Sequence, residues 1–84
     1  MTAVQMRELM SRKPFQPFRV RVSDGRTYEI HRREFNIVGE SVVLIGVSRA
    51  GERDPDFPDY HDFIPYKLID GIDLLPQPST TSVR

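Results

Sequence analysis

Residues 18–30, "FRVRVSDGRTYEI", constrain this chain more than any other stretch. Apolar and charged residues alternate on both sides of Ser23-Asp24-Gly25, so the segment reads as two half-buried strands joined by a tight turn. The length of the turn decides which side chains share a face. A two-residue Asp24-Gly25 loop sets Ser23 opposite Arg26 and Val20 opposite Glu29, which puts a carboxylate on the apolar face. A three-residue Ser23-Asp24-Gly25 loop sets Val22 opposite Arg26, Val20 opposite Tyr28 and Phe18 opposite Ile30, and one face stays apolar. That loop requires Gly25 in the left-handed conformation, which glycine adopts without a Cβ clash. The same register sets Arg21 opposite Thr27 and Arg19 opposite Glu29, so Arg19 has a structural partner before any ligand is invoked.

Before this hairpin, Thr2 and Gln5 have capping-box spacing, and Met6, Leu9 and Met10 form one apolar stripe. A short helix is expected from Ala3 to Arg12, stopped by Pro14. Pro14 and Pro17 hold "PFQPF" extended, with Phe15 packing under the helix and Phe18 starting the inward row of the first strand.

After it, "FNIVGESVVLIGV" reads as a second hairpin. Gly39 is expected at the first central position of a type II′ turn, pairing Val38 with Ser41, Ile37 with Val42 and Phe35 with Leu44. Val42–Val47 is apolar at every position, which suggests a central strand covered on both faces, the second by the helix. Gly46 inside it marks a bend or a close backbone approach. Residues 48–59 form a turn-rich loop, "YHDFIPY" a strand with Pro65 at an edge or break, "KLID" a helical turn and "GIDLLP" a last strand. The expected core is Met6, Leu9, Met10, Phe15, Phe18, Val20, Val22, Tyr28, Ile30, Val42, Leu44, Ile45, Phe63, Ile64, Ile72 and Leu74.

With 84 residues and no cysteine, the chain reads as one domain, residues 1–76, stabilised by a single apolar core and no disulfide or thiolate metal site. Residues 77–84 carry no apolar anchor except Val83 and read as a disordered tail. Together these give a mainly β fold: one N-terminal helix on a strongly bent five-stranded antiparallel sheet, or a small barrel. No apolar run is long enough to span a bilayer, and the charged N-terminus lacks a signal-peptide pattern, so a cytoplasmic protein is expected and no membrane partner. Net charge is zero, but residues 1–38 carry eight Lys/Arg against four Asp/Glu, and residues 39–84 the reverse. Such a dipolar chain suits self-association more than dedicated nucleic-acid binding, which favours a strongly basic domain.

The strand order resembles the Sm-like or SH3-like small-barrel class, on "VRVSDGRTYEI" for the first hairpin and "FIPYKLIDGIDLLP" for the closing strands. Tyr66 and Lys67 match the bacterial RNA-chaperone form of the Sm pattern. Ile30 stands where that pattern has glycine, and Leu68 where the bacterial form has histidine. The chain also resembles a family of small uncharacterised bacterial proteins with an N-terminal helix and a PFxPFRhxhxDGR string, matched here from Pro14 onward. That resemblance implies a compact domain and no defined activity.

Catalytic chemistry finds little support. The only histidines are His31 and His61, and there is no phosphate-binding glycine loop and no nucleophile elbow, so neither an enzyme nor a cofactor is expected. Asp54, Asp56, Asp59, His61 and Asp62 offer metal-ligand types without a metal-site spacing, and Pro55 and Pro58 explain them as a solvated turn. The chain therefore reads as a non-enzymatic interaction module, with itself or another protein as partner and Phe57 as a candidate contact at the tip of the acidic loop. The alternative is an Sm-like RNA-binding protein that uses Arg19, Arg21, Arg32, Arg33 and Lys67 as a basic surface beside aromatic side chains.

Overall fold

The computed structural model describes residues 1–48 and 58–76. Helix α1 spans Ala3–Ser11, and its start is the expected capping box: Gln5 N–H donates to Thr2 Oγ1 at 3.2 Å and Thr2 N–H to Gln5 Oε1 at 2.9 Å. Arg12 has already turned extended, so the helix ends one residue earlier than the sequence suggests. Met6 and Met10 are buried and Leu9 is partly buried.

Strands β1 (Phe18–Val22) and β2 (Thr27–Ile30) pair in the register the turn argument requires: Phe18 with Ile30, Arg19 with Glu29, Val20 with Tyr28 and Arg21 with Thr27. Val22 N–H donates to the Arg26 carbonyl and Gly25 N–H to that of Val22, each at 2.9 Å. Gly25 has φ +96°, and a Cβ there would meet nothing within 4 Å. Strain at Gly25→Val is therefore purely backbone, and we expect a loss of about 1–3 kcal/mol. Thermal unfolding checks it; an unchanged melting temperature contradicts the bulged turn.

On the other side of β1 lies β6 (Ile69–Leu74), giving a three-stranded antiparallel sheet in the order β2-β1-β6. A second antiparallel sheet has the order β3-β4-β5, from Ile37–Val38, Val42–Val47 and Tyr60–Pro65. Pro65, at the end of edge strand β5, leads into a 3-10 turn, Tyr66–Leu68, that carries the chain from the second sheet to the first.

The fold is thus mainly β with one N-terminal helix, as expected, but it is two small sheets rather than one bent five-stranded sheet or a closed barrel. The division falls between β2 and β3, where Arg33–Phe35 form a 3-10 turn instead of strand. The Asn36 side chain stands in for the missing ladder. Its Oδ1 accepts the Gly46 N–H at 3.1 Å, and its Nδ2 donates to the Arg32 carbonyl at 2.8 Å. Gly46 marks a close approach, as read: an added Cβ would lie 2.7 Å from the Phe35 carbonyl oxygen and 3.0 Å from Pro58 Cβ.

The second hairpin corrects the sequence reading. Ile37 pairs with Leu44 and Val38 with Val43, two residues beyond the expected register, and Phe35 lies outside the strand. Gly39 has no positive φ, which excludes the type II′ turn. Its N–H donates to the Val42 carbonyl at 2.9 Å, and the tip is Glu40-Ser41.

One core collects Phe18, Val20, Val22, Ile30 and Ile69 from the first sheet, Val43, Ile45 and Ile64 from the second, Met6 and Met10 from the helix, and Tyr66. Phe15 packs against it, its ring 6.0 Å from that of Phe18. Four expected core residues are elsewhere. Phe63 is exposed and Val42 and Leu44 are only half-buried, because the inward positions of β4 and β5 are Val43, Ile45 and Ile64; Leu74 is exposed at the end of β6, opposite Phe18. The helix joins the core on that inward side, so it does not cover the other face of β4.

Candidate functional site

The outward faces of the two sheets differ in chemistry. On β2-β1-β6 the outward positions are salted. Arg19 Nη2 lies 3.0 Å from Glu29 Oε2, and Arg21 Nε lies 2.9 Å from Asp73 Oδ2. The Arg19 hydrogen bond, with a second contact from His31, holds the Glu29 carboxyl below its ordinary value. Charges paired in this way on a sheet face are a solvated surface, each pair worth about 0–1 kcal/mol.

On β3-β4-β5 the outward positions are Ile37; Val42, Leu44 and Gly46; and His61, Phe63 and Pro65. None is Asp, Glu, Lys or Arg. Cross-strand pairing aligns Ile37 with Leu44 and Leu44 with Phe63, one row across all three strands, and sets Val42 beside Pro65. Ile37 is 57% exposed and Phe63 67% exposed. Burying a large apolar side chain is worth about 1.5–3 kcal/mol, so folding alone leaves most of that gain unrealised at Phe63. At one end the face closes where His61 Nε2 meets the Phe35 carbonyl at 3.1 Å.

A polar bridge ties the two sheets together. Arg26 pairs with Asp24 at 2.6 Å and donates to Tyr28 Oη at 2.9 Å; Tyr28 O–H in turn donates to Asp62 Oδ2 at 2.6 Å. Burial, reinforced by the Asp62 carboxylate, pushes the Tyr28 phenol up to about 12. Between about pH 10 and 12 the unfolded chain releases this proton while the folded chain keeps it, so stability falls as pH rises through that window. A tyrosinate absorbance titration is expected to show a step near the top of the window that Tyr28→Phe removes. A wild-type titration complete by about pH 11 contradicts the bridge.

The basic residues singled out from the sequence are carried by β1, by the 3-10 turn after β2 and its flank, and by the 3-10 turn after β5. Arg19 and Arg21 belong to the salted sheet face, and the Arg21–Asp73 pair was not foreseen. Arg32 lies 3.4 Å from Glu34, with its guanidinium 5.0 Å above the Phe35 ring. Arg33 is exposed in the adjoining turn, and Lys67 is exposed in the turn between β5 and β6. Phe57, Asp54 and Asp56 lie outside the described residues. Of the remaining acidic-loop candidates, Asp62 accepts from Tyr28 and His61 faces the Phe35 carbonyl.

Sequence reasoning placed Phe63 and Leu44 in the core and so missed the exposed row. The all-apolar run of β4 carries no signal of its phase, and only once Val43 and Ile45 are seen to point inward must their neighbours point out. Comparison with family models, curated proteins and solved structures finds no match to this chain.

Proposed function

We propose that the chain is a non-enzymatic interaction module that pairs with a second copy of itself through the outward face of β3-β4-β5. The observation that carries it is the exposed row Ile37–Leu44–Phe63 on a face without a charged residue, opposite a sheet whose outward face is charged. Exposed apolar patches of this kind mark association surfaces. A second copy suits the face for two reasons. An uncharged apolar patch is complementary to itself across a two-fold axis. The chain also has zero formal net charge, so two copies approach without net repulsion.

RNA binding through the β1 arginines has less support, because Arg19 and Arg21 already face Glu29 and Asp73. Among the described residues no helix is long and apolar enough to cross a membrane, so the apolar face is not part of a helical span.

Sedimentation equilibrium of the wild-type chain tests the proposal. The expected mass is twice the 9.8 kDa of one chain, falling toward the monomer on dilution. A monomer at every concentration overturns it.

A further inference from the structure

A second feature lies away from the outward positions of both sheets. A cleft of about 390 Å³ runs between the end of α1 and the 3-10 turn after β2. Arg12 and Lys13 line it from the helix end, Arg32 and Arg33 from the turn, and Phe15 and His31 lie between. Glu34 is the one carboxylate among the lining residues. Four cations against one carboxylate give this concave site a net charge of +3 in a chain whose formal net charge is zero.

Partnering sharpens the contrast. Arg32 and Glu34 pair with each other, and His31 Nε2 is held 3.1 Å from Glu29 Oε1. Arg12, Lys13 and Arg33 are exposed and have no ion pair among the described residues, whereas the β1 arginines each have a carboxylate. Three uncompensated cations in one cleft concentrate positive potential there. Arginine forks match phosphate oxygens two at a time, and lysine adds a point charge. The partly buried Phe15 supplies an apolar wall beside them. The volume falls within the range of small-ligand sites, about 300–1,000 Å³.

We propose that this cleft binds a phosphate-bearing ligand, with Arg12, Lys13 and Arg33 contacting the phosphate and Phe15 walling the group that carries it. Phosphate is favoured over an isolated carboxylate because three cations without an ion pair line one cleft, more than a single negative charge requires. The site uses none of the residues in the self-pairing face, so either can fail without the other.

The test is a titration of the full chain, at low salt, with sodium pyrophosphate and with ADP, followed by amide shifts. Shifts are expected at Arg12, Lys13, Phe15 and residues 31–34, weakening as salt rises. The variant carrying Arg12→Gln, Lys13→Gln and Arg33→Gln is expected to lose at least about tenfold in affinity, the cost of a single charge-assisted contact. Lys67→Gln, an exposed cation outside the cleft, should bind as the wild type does. The three replaced side chains are exposed and unpaired, so the variant should melt with the wild type; if it does not, Arg33→Gln alone carries the comparison. Tighter binding of ADP than of pyrophosphate assigns a nucleotide, and equal binding assigns the phosphate group alone. Absence of shifts at millimolar ligand, equal binding by the triple variant, or equal binding of a short polyglutamate peptide overturns the assignment.

Discussion

Phe18→Ala is expected to bring the domain to the edge of unfolding. Phe18 is fully buried, faces Ile30 on one side and Leu74 on the other, and meets the Phe15 ring. Removing a buried phenylalanine costs about 3–5 kcal/mol, because the transfer gain is lost and a cavity remains. A small domain has about 5–15 kcal/mol in total, and this one has no disulfide to limit the loss. The melting temperature should fall by more than about 12 °C, read by circular dichroism. A fall of only a few degrees would mean that the two sheets and the helix do not share one core.

Phe63→Glu is expected to do the opposite: leave the fold intact and abolish self-association. Phe63 is mostly exposed, so the folded monomer loses little when it becomes polar. In a paired state the same change sets an uncompensated carboxylate against the apolar row, once from each copy. A central interface residue is worth about 2 kcal/mol or more, so the two-fold pair loses about 4 kcal/mol, close to a thousandfold in affinity. Thr27→Glu is the matched control. Thr27 is exposed on the salted sheet and faces Arg21, so a carboxylate there adds a cross-strand partner and should leave the mass unchanged. Light scattering on the three proteins separates the outcomes. Equal masses for all three, or loss of the dimer in Thr27→Glu alone, contradict the assignment of the face.

The first hairpin was legible in the sequence because two constraints met there. Strict alternation fixed which residues must share a face, and only one turn length kept Glu29 off the apolar side. The helix was equally plain, since Thr2, Gln5 and Pro14 mark its start and stop. The second hairpin had no comparable constraint. Val42–Val47 is apolar at every position, so period-two patterning is silent about which face is inward, and a shift of two residues in pairing changes no parity. Phe63 and Ile64 present the same ambiguity in β5. Its resolution depends on long-range pairing with Val43 and Leu44, and that inverted the reading of the candidate site.

Other features were hidden for a different reason. The break between the sheets depends on Asn36 reaching Gly46, and the Arg21–Asp73 pair depends on β6 lying beside β1. Neither follows from local spacing. Tyr66 is hidden as a core residue because a 3-10 turn carries no periodic pattern, although its hydroxyl donates to the Gly39 carbonyl at 2.7 Å and binds the turn to the second hairpin; Ile69 is hidden because the sequence places it in a helical turn, whereas it begins β6. The basic cleft was half visible: Arg32 and Arg33 were noted, but Arg12 and Lys13 join them only once the helix end and the turn are placed together.

Whether the uncharged face of β3-β4-β5 meets its own copy is tested directly by isotope-filtered nuclear Overhauser spectroscopy on a sample mixing isotope-labelled and unlabelled chains. Contacts are expected between the methyl groups of Ile37, Val42 and Leu44 in one copy and the Phe63 ring of the other, and none from Thr27 or Arg19. No intermolecular contact at millimolar concentration, or contacts confined to the salted sheet, would contradict it.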